Sequence, residues 1–402
     1  MKTERITTDL SRAAELLRAG EPVAVPTETV YGLAANGLDS GAVEKIYEVK
    51  GRPPVKPLSL MVPGAEALER YCAELPPPAK ALAERFWPGP LTIVLKAKET
   101  VPAVVRAGGE TVGLRCPDHP LTLELLRRTG LPFAAPSANP SGAESPKTAE
   151  QVRAYFDGQI AAIVDGGPCG IGRESTILDM SRTPYRILRQ GALPAEEIAD
   201  ALVDAMEIVG VTGGSGSGKT TLLRELERRG ALALDCDAVY HELLASSGEL
   251  LAEIEESFPG AVEKGVLQRK KLGARVFGDR EALGRLNAIT HRYVTAEVQR
   301  RLREHAMAGG RLAALDAIEL IASPLAGYCD WILGVLAHRE IRAARIMARD
   351  GISRDYALLR IDAQRPDSYF REHCDVILEN NGDEASLLQH INTILEERLH
   401  HG

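Results

Sequence analysis

Residues 207–220 read Glu-Ile-Val-Gly-Val-Thr-Gly-Gly-Ser-Gly-Ser-Gly-Lys-Thr, a short apolar strand running directly into a complete Gly-x-x-x-x-Gly-Lys-Thr string. Glycines let backbone N–H groups close around phosphate oxygens, Lys219 reaches the β and γ phosphates, and Thr220 can hold magnesium where a helix begins. Such a segment demands a strand before it, a helix after it and a parallel sheet around it. It lies at the middle of a 402-residue chain, and at roughly 150 residues per domain that length suits two or three domains. A second unit must therefore precede it.

The boundary falls near Met206. Residues 191–206 read as a helix, with Pro194 near its start and Ile198, Ala201, Leu202 and Ala205 at helical spacing, after which the pattern switches to strand. Hydrophobic residues make up 45% and charged residues 26% of the chain, ordinary globular usage that excludes disordered and fibrous classes. With six phenylalanines, ten tyrosines and two tryptophans, the core must be filled mostly by Ala, Leu, Ile and Val. The net charge is −8, with 23 basic and 26 acidic residues in 1–206 and 25 and 30 in 207–402. That balance argues against a polycation wrapped on DNA or RNA. No run is long and apolar enough to span a membrane, and the opening MKTERITTDL is too polar for a secretory signal, so a cytoplasmic protein is expected. The six cysteines form no CxxC pair, which suggests free thiols rather than a zinc site or disulfides.

Residues 1–206 alternate helices (9–19, 39–49) with strands (22–26, 58–62, 91–95, 112–115, 133–135, 162–164, 176–178), which predicts an α/β sandwich with a mixed, twisted sheet. Between these elements lie specific polar strings. They are Pro26-Thr27-Glu28-Thr29-Val30-Tyr31-Gly32-Leu33, Lys50-Gly51-Arg52-Pro53 and Phe86-Trp87-Pro88-Gly89-Pro90-Leu91-Thr92, then Val112-Gly113-Leu114-Arg115-Cys116-Pro117, Ala135-Pro136-Ser137-Ala138-Asn139-Pro140-Ser141-Gly142 and Ser175-Thr176-Ile177. Singly, each is ordinary loop chemistry. Together, in this order, they resemble the YrdC-type family of threonylcarbamoyl-AMP synthases.

That resemblance implies a reaction joining L-threonine, bicarbonate and ATP into threonylcarbamoyl-AMP, with release of pyrophosphate. The product would feed the tRNA-modifying transferase machinery that acts at adenosine 37. On this reading Lys50, Arg52, Lys56 and Arg189 face the ATP polyphosphate, Ser137 and Asn139 orient the nucleotide, and Thr111 and Ser145 complete its shell. Arg115 grips the threonine carboxylate bidentately, while Thr29 and Ser175 recognise its hydroxyl and amine. Two positions depart from the family pattern: Lys56 replaces a common asparagine, and Ser59-Leu60-Met61 stands where many relatives carry a histidine. Met61 reads as a strand residue filling the core.

In 207–402, strand 208–211, helix 220–229 and strand 231–235 lead to Asp235-Cys236-Asp237 at the carboxyl edge of a parallel sheet, where open α/β folds bind ligands. Asp237 also suits an N-cap for the helix that follows. Further on stand Gln268-Arg269-Lys270-Lys271-Leu272, Arg275-Val276-Phe277, Leu286-Asn287-Ala288-Ile289-Thr290-His291 and Cys374-Asp375-Val376-Ile377-Leu378-Glu379-Asn380-Asn381-Gly382. The set resembles dephospho-CoA kinase. That family moves the γ-phosphoryl of ATP, taken with Mg2+, to the ribose 3'-hydroxyl of dephospho-CoA on a parallel sheet under a helical lid. The resemblance assigns ATP to Gly213, Gly214, Ser215, Gly216, Ser217, Gly218, Lys219, Thr220 and Thr221, the metal to Thr220, and orientation and deprotonation of the hydroxyl to Asp237.

Arg339, Arg342, Arg345 and Arg349 fall within about 120° of one helix face, and Arg345 and Arg349 are expected in the lid. Arg292 replaces a family proline and Ala322 a family glutamate, while Asp316, ending strand 312–315, could act on magnesium in a Walker-B-like way. The leading expectation is a bifunctional enzyme without DNA or membrane partners. The alternative is an active synthase carrying a degenerate nucleotide-binding module that regulates it.

Overall fold

The computed structural model describes residues 3–276 and 278–399, so Phe277 lies outside the described residues. The chain divides into two compact units, Met1–Ala205 with Met307–Gly309, and Met206–Ala306 with Gly310–Gly402.

The first unit is built on one ten-stranded sheet. Its strands are β1 (Glu4–Ile6), β2 (Val23–Val25), β3 (Gly32–Asn36), β4 (Ser59–Met61), β5 (Leu91–Lys96), β6 (Thr111–Arg115), β7 (Phe133–Ala134), β8 (Ala162–Val164), β9 (Thr176–Asp179) and β10 (Arg186–Arg189). They run in the order β1-β8-β2-β3-β7-β4-β6-β5-β9-β10. The sheet is mixed as expected: β5 is antiparallel to β6 and parallel to β9. Strand β3 differs from the sequence reading, which took Gly32 and Leu33 as part of a polar string. Leu33, Ala34 and Ala35 are fully buried; Leu33 and Ala34 pair antiparallel with β2 and Ala35 with β7. Small residues flanked by polar loops carry little strand signal until the neighbouring strand covers them.

Helix Ser11–Arg18 buries Ala13, Ala14, Leu16 and Leu17 in a cluster with Val23, Val25, Leu125, Leu126 and Phe133. Full burial of a side chain such as Leu17 contributes about 1.5–3 kcal/mol. Helix Ser40–Lys50 starts at Asp39, whose carboxylate accepts from the amides of Gly41 and Ala42, and stops at Gly51 in the left-handed region (φ 58°). That reversal separates the fates of two neighbouring cations: Lys50 stays inside the last turn and Arg52 leaves it.

The second unit holds a five-stranded sheet of β11 (Glu207–Thr212), β12 (Leu232–Asp235), β15 (Leu312–Asp316), β16 (Trp331–Leu336) and β17 (Val376–Glu379), with a separate hairpin of β13 (Val262–Glu263) and β14 (Val266–Leu267). All pairings in the five-stranded sheet are parallel, in the order β12-β15-β11-β16-β17. Val209, Val211, Ala314, Leu333 and Val335 pack with Leu222 and Leu226 on one side chain cluster that also takes in Leu387, Ile391 and Leu395. The central strand delivers the glycine-rich loop. Asp235 and Asp316 are paired in register at the carboxyl ends of their strands, beside it.

Candidate active sites

The pocket of the first unit opens on one face of the sheet. Side chains alternate along strands, and register pairs Met61 with Arg115, Ile177 with Thr92 and Arg189 with Ile177, so these residues form a row. Gly113 leaves space beside it: a Cβ there would sit 2.9 Å from Ser59 Oγ and 3.1 Å from Thr92 Cγ2. The resulting pocket, about 160 Å3, is lined by Arg52, Ser59, Met61, Thr92, Arg115, Ser137, Glu174, Ser175 and Arg189, with apolar neighbours.

Five residues expected from sequence therefore converge: Arg52, Arg115, Ser137, Ser175 and Arg189. Arg115 is 7% exposed; its Nε donates to the Gly89 carbonyl (3.2 Å) and its Nη2 to Glu28 Oε1 (2.6 Å) and Thr29 Oγ1 (2.8 Å). A bidentate grip by the whole fork is thus corrected, because protein acceptors already occupy its Nε–Nη2 edge. Arg189 lies over the Ser175 carbonyl, donating from Nε (3.2 Å) and Nη2 (2.8 Å), and Ser175 Oγ is 2.8 Å from Thr92 Oγ1. Arg52 donates to the carbonyls of Lys56 (3.2 Å) and Pro57 (2.9 Å). Burial lowers the pKa of both Arg52 and Arg189, yet a guanidinium stays charged.

The other expected residues stand outside the pocket lining, each for a visible reason. Lys50 is 3% exposed and donates to the carbonyl oxygens of Ser137 and Asn139, so it ties down the loop that carries Ser137. Burial, and then the Arg52 guanidinium, pull its pKa down to about 7. Thr29 is fully buried, 2.9 Å from the Thr27 hydroxyl and accepting from Arg115, and so helps to position the guanidinium. Asn139 spends its amide on the carbonyls of Pro140 (2.9 Å) and Ala143 (2.7 Å), which shapes the turn. Ser145 donates to Glu174 Oε1 (2.6 Å). Thr111 shares the face of Arg115 but lies at the far end of β6, opposite Lys96, and Lys56 is exposed on its loop. Met61 is 5% exposed in the core and also touches the pocket. Sequence reasoning missed Glu174, although it directly precedes the Ser175-Thr176-Ile177 string.

The pocket of the second unit, about 430 Å3, is lined by residues 214–220, Asp235, Asp237, Asp316, Ile318, Arg345, Arg349 and Arg360. Gly213 lies behind it at φ 138°, where a Cβ would be 2.2 Å from the Val335 carbonyl oxygen, and Gly218, at φ 109°, would strike Asn380 Nδ2 at 2.0 Å. No side chain fits at either position. Thr221 stands in the first turn of helix Lys219–Arg228, outside the lining. Lys219 Nζ donates to the Gly213 carbonyl (3.1 Å) and lies 3.9 Å from Asp316 Oδ1.

Asp235, not Asp237, caps the next helix, accepting from the amides of Asp237 and Ala238 (both 3.0 Å). The helix, Cys236–Ser246, starts two residues earlier than the sequence suggested, which leaves the Asp237 carboxylate in its first turn, uncommitted to capping. Partial burial in the cleft and the Asp235 charge raise the pKa of Asp237; because the residue is exposed overall, the like charge is the firmer cause. Burial, opposed by Lys219 and reinforced by Asp235 and Asp237, pushes Asp316 up to about 6.

The four arginines of helix Arg339–Asp350 have separate duties. Arg339 pairs with Asp362 (2.7 Å). Arg342 is buried and fastens the loop through the Ser215 carbonyl (3.0 Å) and Gln364 Oε1 (2.6 Å). Arg345 donates to the carbonyls of Gly216 and Ser217 (3.3 Å each). Arg349 shares Asp350 with Arg360, the pocket residue that sequence reading passed over. Arg292 pairs with Glu253, and Ala322 sits in a turn, Leu320–Ala322; neither lines this pocket. His291 and Arg292 instead line a second cleft of about 440 Å3 with Gln299 and Tyr328.

A family model described as telomere recombination (Sua5/YciO/YrdC) matches residues 15–191, and one described as dephospho-CoA kinase matches residues 207–386. A putative threonylcarbamoyl-AMP synthase of Mycobacterium tuberculosis is 37% identical over 49% of this chain and 91% of its own length. The dephospho-CoA kinase of Carboxydothermus hydrogenoformans is 35% identical over 48% of this chain and 94% of its own. The chain belongs to both families. A threonylcarbamoyl-AMP synthase of Pyrococcus abyssi is 50% identical over 46% of this chain, which spans only 55% of that relative's length.

The synthase-family unit thus offers a small pocket of guanidiniums and hydroxyls, and the kinase-family unit a phosphate loop facing three carboxylates. Among the described residues no three His, Cys, Asp or Glu side chains are grouped to hold a metal by themselves. In the kinase-family pocket, however, Thr220 and Asp316 lie beside Lys219, and Asp316 Oδ1 is buried with no hydrogen-bond partner. An orphan carboxylate oxygen in a pocket that also holds a threonine hydroxyl suits a magnesium ion that arrives with phosphate oxygens. Among the described residues no helix is long and apolar enough to cross a membrane.

Proposed function

We propose that the chain is a bifunctional enzyme: residues 1–206 form threonylcarbamoyl-AMP from L-threonine, bicarbonate and ATP, and residues 207–402 phosphorylate the ribose 3'-hydroxyl of dephospho-CoA. The observation that carries this reading is that Arg52, Arg115, Ser137, Ser175 and Arg189 line one pocket of the first unit, while the glycine-rich loop, Lys219, Thr220, Asp237, Arg345 and Arg349 line one pocket of the second.

In the first pocket Arg52 and Arg189 offset the charge of the departing pyrophosphate, Ser137 holds the nucleotide on the loop fixed by Lys50, and Arg115 meets the threonine carboxylate through Nη1. Ser175 is the hydroxyl at the substrate. In the second, Lys219 and the loop amides hold the β and γ phosphates, Thr220 and Asp316 would hold magnesium, and Asp237 receives the proton of the attacking hydroxyl. When bound there, magnesium would supply neutralisation of phosphate charge. Arg345, Arg349 and Arg360 face the polyphosphate from the lid. The adenylate product would pass to tRNA-modifying transferase machinery in the cytoplasm.

The test is substrate dependence. Pyrophosphate release should require both threonine and bicarbonate, and phosphoryl transfer should require dephospho-CoA and magnesium. ATP binding without transfer would make the second unit the regulatory module instead.

A further inference from the structure

Resting on the reading of the first unit as a threonine-using synthase, we propose that Glu174 binds the amino group of the amino-acid substrate and so selects an α-amino acid over its deaminated analogue. The charges lining the pocket are Arg52, Arg115, Arg189 and one carboxylate, Glu174. Triphosphate, bicarbonate and the threonine carboxylate are anions that three guanidiniums attract. The threonine ammonium is the one organic cation among the substrates, and only Glu174 opposes its charge there.

Of Thr29 and Ser175, the two residues that sequence reasoning gave to hydroxyl and amine recognition, Thr29 is fully buried and engaged with Thr27 and Arg115, which leaves Ser175 alone of the pair at the pocket, with no charge to oppose the ammonium. Glu174 is built into position. Ser145 donates to its Oε1 at 2.6 Å, and its backbone carbonyl accepts from the Ala192 amide at 2.8 Å. The Ser145 hydrogen bond, with Arg189 and Lys147 nearby, lowers the Glu174 pKa, so the carboxylate stays ionised near neutral pH. The adjoining hydroxyls of Ser175 and Thr92, 2.8 Å apart, line the same pocket and offer acceptors for the remaining ammonium protons.

The experiment compares threonine with 2,3-dihydroxybutanoate, which keeps the carboxylate and side-chain hydroxyl and carries a hydroxyl in place of the amine. With the full chain, the threonine KM is read from pyrophosphate release and the analogue's Ki from competition. Glu174→Gln should raise the threonine KM about ten- to a hundredfold, the scale of a lost hydrogen bond to a charged group. The analogue Ki and the magnesium and ATP requirements should stay unchanged. Glu174→Asp, which keeps the charge, should recover part of the loss. An unchanged threonine KM, an equal loss for threonine and analogue, or a shift confined to magnesium or ATP would each overturn the assignment. Wild-type protein that releases no threonine-dependent pyrophosphate would instead contradict the synthase reading on which it rests.

Discussion

Arg115 reaches its pocket with Nε on a backbone carbonyl and Nη2 shared between Glu28 and Thr29, so Nη1 is the nitrogen left to a substrate carboxylate. A lysine ammonium cannot hold three protein acceptors and a ligand in those directions. Arg115→Lys should therefore raise the threonine KM at least tenfold, about 1.5–3 kcal/mol, while the ATP affinity of the kinase-family unit is unaltered; an unchanged threonine titration would remove Arg115 from the carboxylate site. Asp316 makes the opposite kind of prediction. Its folded value of about 6 exceeds the ordinary 3.8, so the folded chain binds that proton more tightly than the unfolded one. The stabilisation is complete below the unfolded value and is lost as pH rises through 6. Near pH 7.5, in protein free of magnesium and nucleotide, Asp316→Asn should raise stability by about 1–2 kcal/mol while phosphoryl transfer falls. Thermal melts across pH that show no such gain would contradict a raised Asp316 pKa.

At the scale of elements, the loop after β7 owes its shape to helix Ser40–Lys50. The last residue of that helix donates to the carbonyls of Ser137 and Asn139. Lys50→Met should weaken ATP use by the synthase and speed hydrogen exchange at the amides of residues 137–141; slow exchange with lost activity would instead place Lys50 on the phosphates. The strand, glycine-rich loop and helix at residues 207–228 were legible in sequence because each glycine there answers a backbone requirement within the same short stretch. Strand β3 was not, because its alanines gain meaning only under a neighbouring strand. The cap at Asp235 was misplaced by two residues, since a strand end and a helix start compete for the same acid. The arginines of helix Arg339–Asp350 were legible as a face but not in their partners, which come from Asp362, Gln364 and the loop carbonyls far along the chain. Glu174 escaped notice because one acid in a loop reads as solvated surface until it is seen lining one pocket with three arginines.

At the scale of the whole molecule, two pockets lie in two compact units, and no substrate or intermediate other than ATP is common to the two proposed reactions. Variants should therefore separate cleanly. Lys219→Ala removes the cation on the β and γ phosphates and should abolish phosphoryl transfer, and Asp237→Asn should keep ATP binding and lose transfer; both should leave threonylcarbamoyl-AMP formation at the wild-type rate. The most direct measurement incubates wild-type, Lys219→Ala and Arg115→Lys proteins with ATP, magnesium, threonine, bicarbonate and dephospho-CoA and resolves the products by mass spectrometry. The predicted result is both threonylcarbamoyl-AMP and CoA from wild type, only the adenylate at full yield from Lys219→Ala, and only CoA at full yield from Arg115→Lys. Wild-type protein that makes one product alone, or a single substitution that removes both, would contradict two independent active sites on one chain.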